Sequence, residues 1–150
     1  MSIIIKKYLS AICTCLLLII GLQSCGSTGP KPINYGKDQC VYCKMTITDA
    51  RFGTQLLTKK GRTYNFDDLS CMIAFAKEGN VKKEEIENLY IPDYTKDKKL
   101  YPASELFFLK SEGLKSPMRG DIAAFKDQAD LKKVKDELGG VELSWEEIWK

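Results

Sequence analysis

Apolar and polar positions along the chain change period several times, and each change predicts an element. Met45-Thr46-Ile47-Thr48 alternates with period two and reads as a strand. Gly53 to Thr58 and Arg62 to Phe66 are strand-like runs joined at Lys59-Lys60-Gly61, a hairpin signal. Asp67-Asp68 caps a helix running to about Glu78, with Gly79 as its stop and Leu69, Met72, Ile73 and Ala76 as its apolar stripe. A charged linker, a strand around Leu89 to Ile91, and a loop holding Asp93 and Lys96-Asp97-Lys98 follow. Leu106 to Leu109 is an uninterrupted apolar strand, Ser116 to Gly120 a turn, and Ile122 to Phe125 a further strand. A second helix covers about Asp127 to Leu138, with Leu131, Val134 and Leu138 inward and Gly139-Gly140 as the stop. Ser144-Trp145-Glu146-Glu147 has the form of a capping box opening a short last helix. The pattern is that of an α+β protein.

The order contains a weak repeat. Phe66-Asp67-Asp68, helix, Gly79-Asn80-Val81 parallels Phe125-Lys126-Asp127, helix, Gly139-Gly140-Val141. A duplicated strand-strand-helix-strand module, with a site between its halves, is one reading. Chance recurrence of strand–helix units is the other. The expected division is residues 38–150 as the folded domain, with a first module over about 38–94 and a second over 100–150.

Ahead of this domain, Lys6-Lys7 precedes an apolar run from Tyr8 to Leu22. At roughly 15 residues the run is too short for a transmembrane helix and has the form of an export signal. The break after it, Leu22-Gln23-Ser24-Cys25, resembles a bacterial lipoprotein box. That resemblance implies a signal peptide over residues 1–24 and lipidation of Cys25, with residues 25–37 as a flexible tether. Gly26 behind Cys25, in place of a retention aspartate, favours the outer membrane, facing the periplasm, in a Gram-negative cell.

Charge and composition narrow the chemistry. Removing Lys6 and Lys7 from 23 basic residues leaves 21 against 20 acidic ones, which gives no electrostatic case for nucleic acid. The chain has six cysteines and no histidine. Ser-His-Asp and Cys-His nucleophile arrangements are excluded, as is any His-based metal site. Cys13 and Cys15 leave with the signal and Cys25 carries lipid, so Cys40, Cys43 and Cys71 stay in the folded domain. An odd number of thiols in an exported protein cannot all pair internally.

Cys40-Val41-Tyr42-Cys43-Lys44-Met45 sets three sulfur side chains in six residues. A thioredoxin-like redox pair needs a helix start at Cys43, and an alternating run stands there instead. A Cys40–Cys43 disulfide closes too short a loop to stabilise much. A c-type haem needs a histidine where Lys44 stands. Zinc needs four ligands; Cys40, Cys43 and Cys71 supply three, and a carboxylate the fourth. Cu(I) prefers two or three soft donors. Cys43 and Met45, two apart on a strand, point to one face, with Cys40 as third donor or exchange thiol. Met118, in the turn after Pro117, is the thioether candidate from the second half. Cys71 is either a thiol facing the motif or an inert buried cysteine.

These residues, together with Phe66-Asp67-Asp68, Cys71-Met72, Ser116-Pro117-Met118 and Gly139-Gly140 behind the lipoprotein box, resemble the NosL family. The likeness runs from about Asp38 to Ile148. It implies a non-enzymatic, lipid-anchored Cu(I) chaperone of the cell envelope, built from two related α+β modules and using Cys43 and Met45. It further implies apo nitrous-oxide reductase or another cuproenzyme as recipient and a membrane copper exporter as donor. One departure is Lys44, where the family's usual residue is glycine. A thiol redox lipoprotein using Cys40 and Cys43, or a structural zinc lipoprotein, are the alternatives.

Overall fold

A computed structural model describes residues 29–96 and 98–150. The expected signal peptide, lipidation site and passenger cysteines lie outside the described residues. Two antiparallel sheets carry the fold. The first is built from β1 (Thr54–Thr58), β2 (Thr63–Phe66), β3 (Ile86–Pro92) and β4 (Leu100–Pro102), in the order β2-β1-β3-β4. Helix α1 (Leu69–Lys77) follows β2. The second sheet is built from β5 (Phe107–Lys110), β6 (Ile122–Phe125) and β7 (Val141–Leu143), in the order β6-β5-β7. Helix α2 (Gln128–Leu138) follows β6, and a short α3 (Trp145–Trp149) closes the chain. Among the described residues no helix is long and apolar enough to cross a membrane.

Both halves therefore run strand, strand, helix, strand, with the third strand returning to the open edge of the first. β2-β1-β3 and β6-β5-β7 are the same arrangement. The repeat in the sequence is a repeat in the fold. Side-chain alternation joins the halves: Phe108 and Ala124 enter the core of the first sheet, while Leu109, Ala123 and Phe125 lie in the core beneath α2.

Several expectations are corrected. β4 pairs with β3 and so belongs to the first sheet, although it lies beyond the linker where the second module was expected to begin. It ends in Pro102, which only an edge strand accommodates without losing a ladder bond. β7, the closing strand that the strand-strand-helix-strand module implies, has no expected range, because Val141-Glu142-Leu143 is mostly exposed and too short for its alternation to mark a strand. Residues 31–37, expected in the tether, belong to the fold. Lys31 exchanges two hydrogen bonds with the Gln55 side chain, and Ile33 is buried.

The helices begin and end as expected. Asp68 caps α1 by accepting the Ser70 N–H at 2.8 Å, and Ser144 and Glu147 form the capping box of α3. The buried face of α1 is Leu69, Cys71, Met72 and Phe75, rotated from the expected stripe so that Ile73 and Ala76 sit at its margin. In α2, Leu131 and Val134 are buried, but Leu138 is 38% exposed at the last turn.

Met45–Thr48 is not a strand. Thr46 makes a single antiparallel bridge to Gln39, and between them the chain closes a tight turn. The Cys40 N–H donates to the Met45 carbonyl at 2.8 Å, and the Lys44 N–H donates to the Cys40 carbonyl at 3.0 Å. Lys44 takes φ +66, the left-handed region that glycine adopts without steric cost. The relation between Cys43 and Met45 is therefore that of a reversing turn, and the same-face argument of a regular strand does not hold.

Candidate metal centre

The turn is held against β2 by main-chain and side-chain bonds. The Val41 N–H donates to the Asn65 carbonyl at 3.0 Å. The Asn65 amide donates to Asp38 at 3.1 Å and accepts from the buried Gln55 side chain at 2.7 Å. Tyr42 reaches across to α1, donating its hydroxyl to Glu78 at 2.6 Å. This anchoring turns Cys40 and Cys43 toward the start of α1.

Cys40, Cys43, Asp67 and Cys71 converge there, each offering one donor atom, all within 4.8 Å of one another. A metal about 2.3 Å from each sulfur separates tetrahedral donors by roughly 3.8 Å, so the group needs little contraction to close on an ion. Cys40, Cys71 and Asp67 are buried and Cys43 is half-buried, so Cys43 is the donor of the group most accessible to solvent. The Cys43 thiol faces both Asp67 carboxylate oxygens, at 3.4 and 3.5 Å. No disulfide joins the three described cysteines.

Burial sets the protonation of the thiols. It pushes Cys40 up to about 11, although the N–H groups of Cys43, Asp67 and Tyr42 lie against its sulfur and favour the thiolate. Burial also raises Cys71, and the neighbouring Cys40 and Asp67 charges raise it further. A bound cation removes the penalty by taking the place of the protons.

Of the sulfurs singled out in the sequence, the fold brings Cys40, Cys43 and Cys71 into one buried group. Met45 and Met118 stand outside it, 56% and 38% exposed. Met45 joins the turn through its carbonyl, and the Met118 N–H donates to Asp68 at 3.1 Å, so the second module reaches the rim of the pocket. The pocket belongs to the first module and does not lie midway between the halves. Asp67 was missed as a donor and read only as part of a helix cap. The signal was its duplication: one aspartate suffices for the cap, and Asp68 performs it.

The second module carries a counterpart. The Tyr94 N–H donates to the Ala124 carbonyl at 2.8 Å, as Val41 does to Asn65. This register sets Asp93 against Cys40, Lys96 against Cys43, Lys126 against Asp67, and Asp130 against Cys71. The buried Asp93 carboxylate accepts the Thr95 and Lys126 N–H groups at 2.9 and 2.8 Å. Lys96 forms ion pairs with Asp127 and with Asp130, the latter at 3.2 Å. A lysine ammonium thus sits among the acidic groups of the second module. Among the described residues no cation pairs with Asp67, and the Lys44 ammonium bonds the Val41 carbonyl instead.

Two strand-strand-helix-strand modules, one of them carrying a buried three-thiol, one-carboxylate pocket, define a small α+β protein equipped to hold a thiophilic metal ion. The NosL family model matches residues 31–150, and the chain belongs to the NosL family, whose members are not enzymes. The fold is similar to the crystal structure of the copper chaperone NosL from Shewanella denitrificans. That similarity has a TM-score of 0.67 at 18% identity and covers 80% of this chain and 95% of that one. No curated protein matches the chain.

Proposed function

We propose that this protein is a lipid-anchored carrier of Cu(I) in the cell envelope. The observation that carries the reading is the convergence of the Cys40, Cys43 and Cys71 sulfurs into one group of which only Cys43 is half-exposed. Thiolates and thioethers are the donors that select Cu(I), and copper in this state is satisfied by two or three of them. Family membership and the copper-chaperone role of the Shewanella denitrificans relative support the same cargo.

Cys43, the half-buried thiol, is the donor that an incoming partner meets first, with Met45 beside it. Cys40 is the third donor, and Cys71 and Met118 complete the supply of sulfur. Transfer proceeds by associative exchange: a partner ligand binds the metal before Cys43 lets go, so copper is never free. The donor is a membrane copper exporter and the recipient is apo nitrous-oxide reductase or another cuproenzyme. Lipid on Cys25 keeps the carrier on the membrane, in the outer membrane of a Gram-negative cell. A redox role for Cys40 and Cys43 is disfavoured, since a reversing turn follows Cys43 where a thiol oxidoreductase has a helix start.

The test is a Cu(I) titration of the full chain, reduced and in detergent, against a chromophoric Cu(I) chelator. One copper per chain is expected, with binding abolished by Cys43→Ser and weakened by Met45→Leu. Full binding in Met45→Leu assigns the site to the cysteines alone. No binding by the unaltered chain overturns the reading.

A further inference from the structure

Asp67 is a carboxylate that a Cu(I) site does not require. It is 3% exposed, its side chain faces thiols, and no ion pair reaches it among the described residues. Burying an ionised carboxylate without a compensating cation is costly. At the position matching Asp67 the second module has Lys126, so no carboxylate is buried there, and Lys96, in the place that Cys43 takes in the first, pairs with Asp127 and Asp130. Oxygen is a poor donor to Cu(I) but an ordinary one to zinc, which takes four ligands in tetrahedral array. Four anionic donors around a divalent ion also leave the pocket one charge less negative than around a monovalent one.

We infer that the pocket holds Zn(II) when it is not loaded with copper, with Cys40, Cys43, Cys71 and Asp67 as the four ligands. Asp67 is the residue that makes the site acceptable to zinc. The inference rests on the copper-carrier reading for the exchange step only. In that step Cu(I), delivered by a partner, forms bonds to the three thiolates as the zinc–sulfur bonds break. Zinc leaves as Zn(II), Asp67 is released and takes up one proton from solvent, which balances the charge, and no electron is transferred. The divalent ion keeps the thiols deprotonated and assembled, and it is displaced because thiolates bind Cu(I) more tightly than Zn(II).

The experiment uses the reduced full chain in detergent, loaded with zinc and followed by native mass spectrometry and a zinc-responsive dye. One zinc per chain is expected, and one equivalent of Cu(I) releases it one for one. Asp67→Asn is expected to weaken zinc at least tenfold and to weaken Cu(I) by a clearly smaller factor. Asp67→Cys, which supplies a fourth thiolate, restores zinc and checks that position 67 tolerates replacement. Cobalt(II) in place of zinc gives thiolate-to-metal absorption in the unaltered chain, weakened by Asp67→Asn. The inference is overturned if the unaltered chain binds copper but no zinc. It is also overturned if zinc stays bound after copper loading, or if Asp67→Asn holds zinc as tightly as before. Zinc bound with no affinity for Cu(I) overturns the copper-carrier reading and leaves the zinc site standing.

Discussion

The Asp68 carboxylate holds the start of α1 and the Met118 loop at once. One oxygen accepts the Ser70 N–H and hydroxyl at 2.8 Å each, and the other accepts the Met118 N–H at 3.1 Å. A side chain next to Asp67 and three residues before Cys71 thereby fixes how the second module sits over the pocket. The loop it holds is conformationally costly: Lys115, Arg119 and Asp121 all adopt positive φ.

Asp68→Ala removes the cap and the tie to Met118 together. The expected loss of stability is about 1–3 kcal/mol, from the missing cap and the buried N–H groups left unpaired. Urea unfolding measures it. If Met118 takes part in copper release, the same variant alters the rate of transfer to a chelator while stoichiometry stays at one. An unchanged rate removes the loop from the transfer path.

Lys44→Gly acts in the opposite direction. A non-glycine residue at φ +66 carries a penalty of about 1 kcal/mol, which glycine does not. The substitution is expected to raise stability by about that amount and to leave the metal ligands in place. A fall in melting temperature would show that the Lys44 bond to the Val41 carbonyl outweighs the backbone cost.

Gly140→Ala tests the turn that returns the chain to β5. A Cβ at position 140 would lie 2.3 Å from the Lys110 carbonyl oxygen, at φ +111. Backbone cannot yield cheaply there, so the expected cost is about 3 kcal/mol or more, through loss of the β5–β7 pairing. Gly139→Ala meets no neighbouring atom, but φ +67 with ψ −164 is a region that essentially only glycine populates, so backbone strain alone is expected to cost about 1–3 kcal/mol, less than Gly140→Ala. Equal losses in the two variants would refute the close-approach argument.

Metal binding should be steeply pH-dependent. Burial holds the Cys40 thiol at about 11 and raises Cys71 as well, so both carry protons near neutrality in the metal-free protein. Ligation displaces those protons, and apparent affinity rises with pH until the thiols ionise without help. Calorimetry in buffers of different ionisation enthalpy counts the protons released, with about two or more expected at pH 7. Iodoacetamide should label half-buried Cys43 before the buried pair, and bound metal should block labelling.

Acid stability isolates the second module. Burial alone would raise Asp93, but the Lys126 and Thr95 N–H groups and the Lys96 charge hold it below the ordinary aspartate value. A depressed carboxyl contributes stability that is full above its unfolded value and lost as pH falls through the folded one. Asp93→Asn is therefore expected to cost about 1–3 kcal/mol at pH 7, with the difference from the unaltered protein shrinking below about pH 4. A pH-independent difference would assign the loss to packing alone.

Most of the fold was legible because local rules and tertiary packing agree in it. The hairpin at Lys59-Lys60-Gly61, both helices with their acidic starts and glycine stops, and the α3 capping box all follow from residues close in sequence. β4 and β7 were not legible, since each is only three residues long, too short for a period of two to register, and each takes its order from the neighbour it pairs with.

The sequence by itself determined the chemistry. Without histidine, and with thiols clustered in Cys40-Val41-Tyr42-Cys43, sulfur and oxygen were the metal donors left to the described fold. Only the tertiary structure decided which donors meet. The left-handed turn at Lys44 breaks the expected strand and directs Cys43 inward toward Asp67, leaving Met45 at the surface. The rotated face of α1 adds Cys71 to the same pocket, and the strand pairing that carries β2 into α1 adds Asp67. Ligand identity is a matter of composition. Convergence depends on bonds between residues 24 or more positions apart, such as Val41 to Asn65 and Cys43 to Asp67, and no periodicity encodes it.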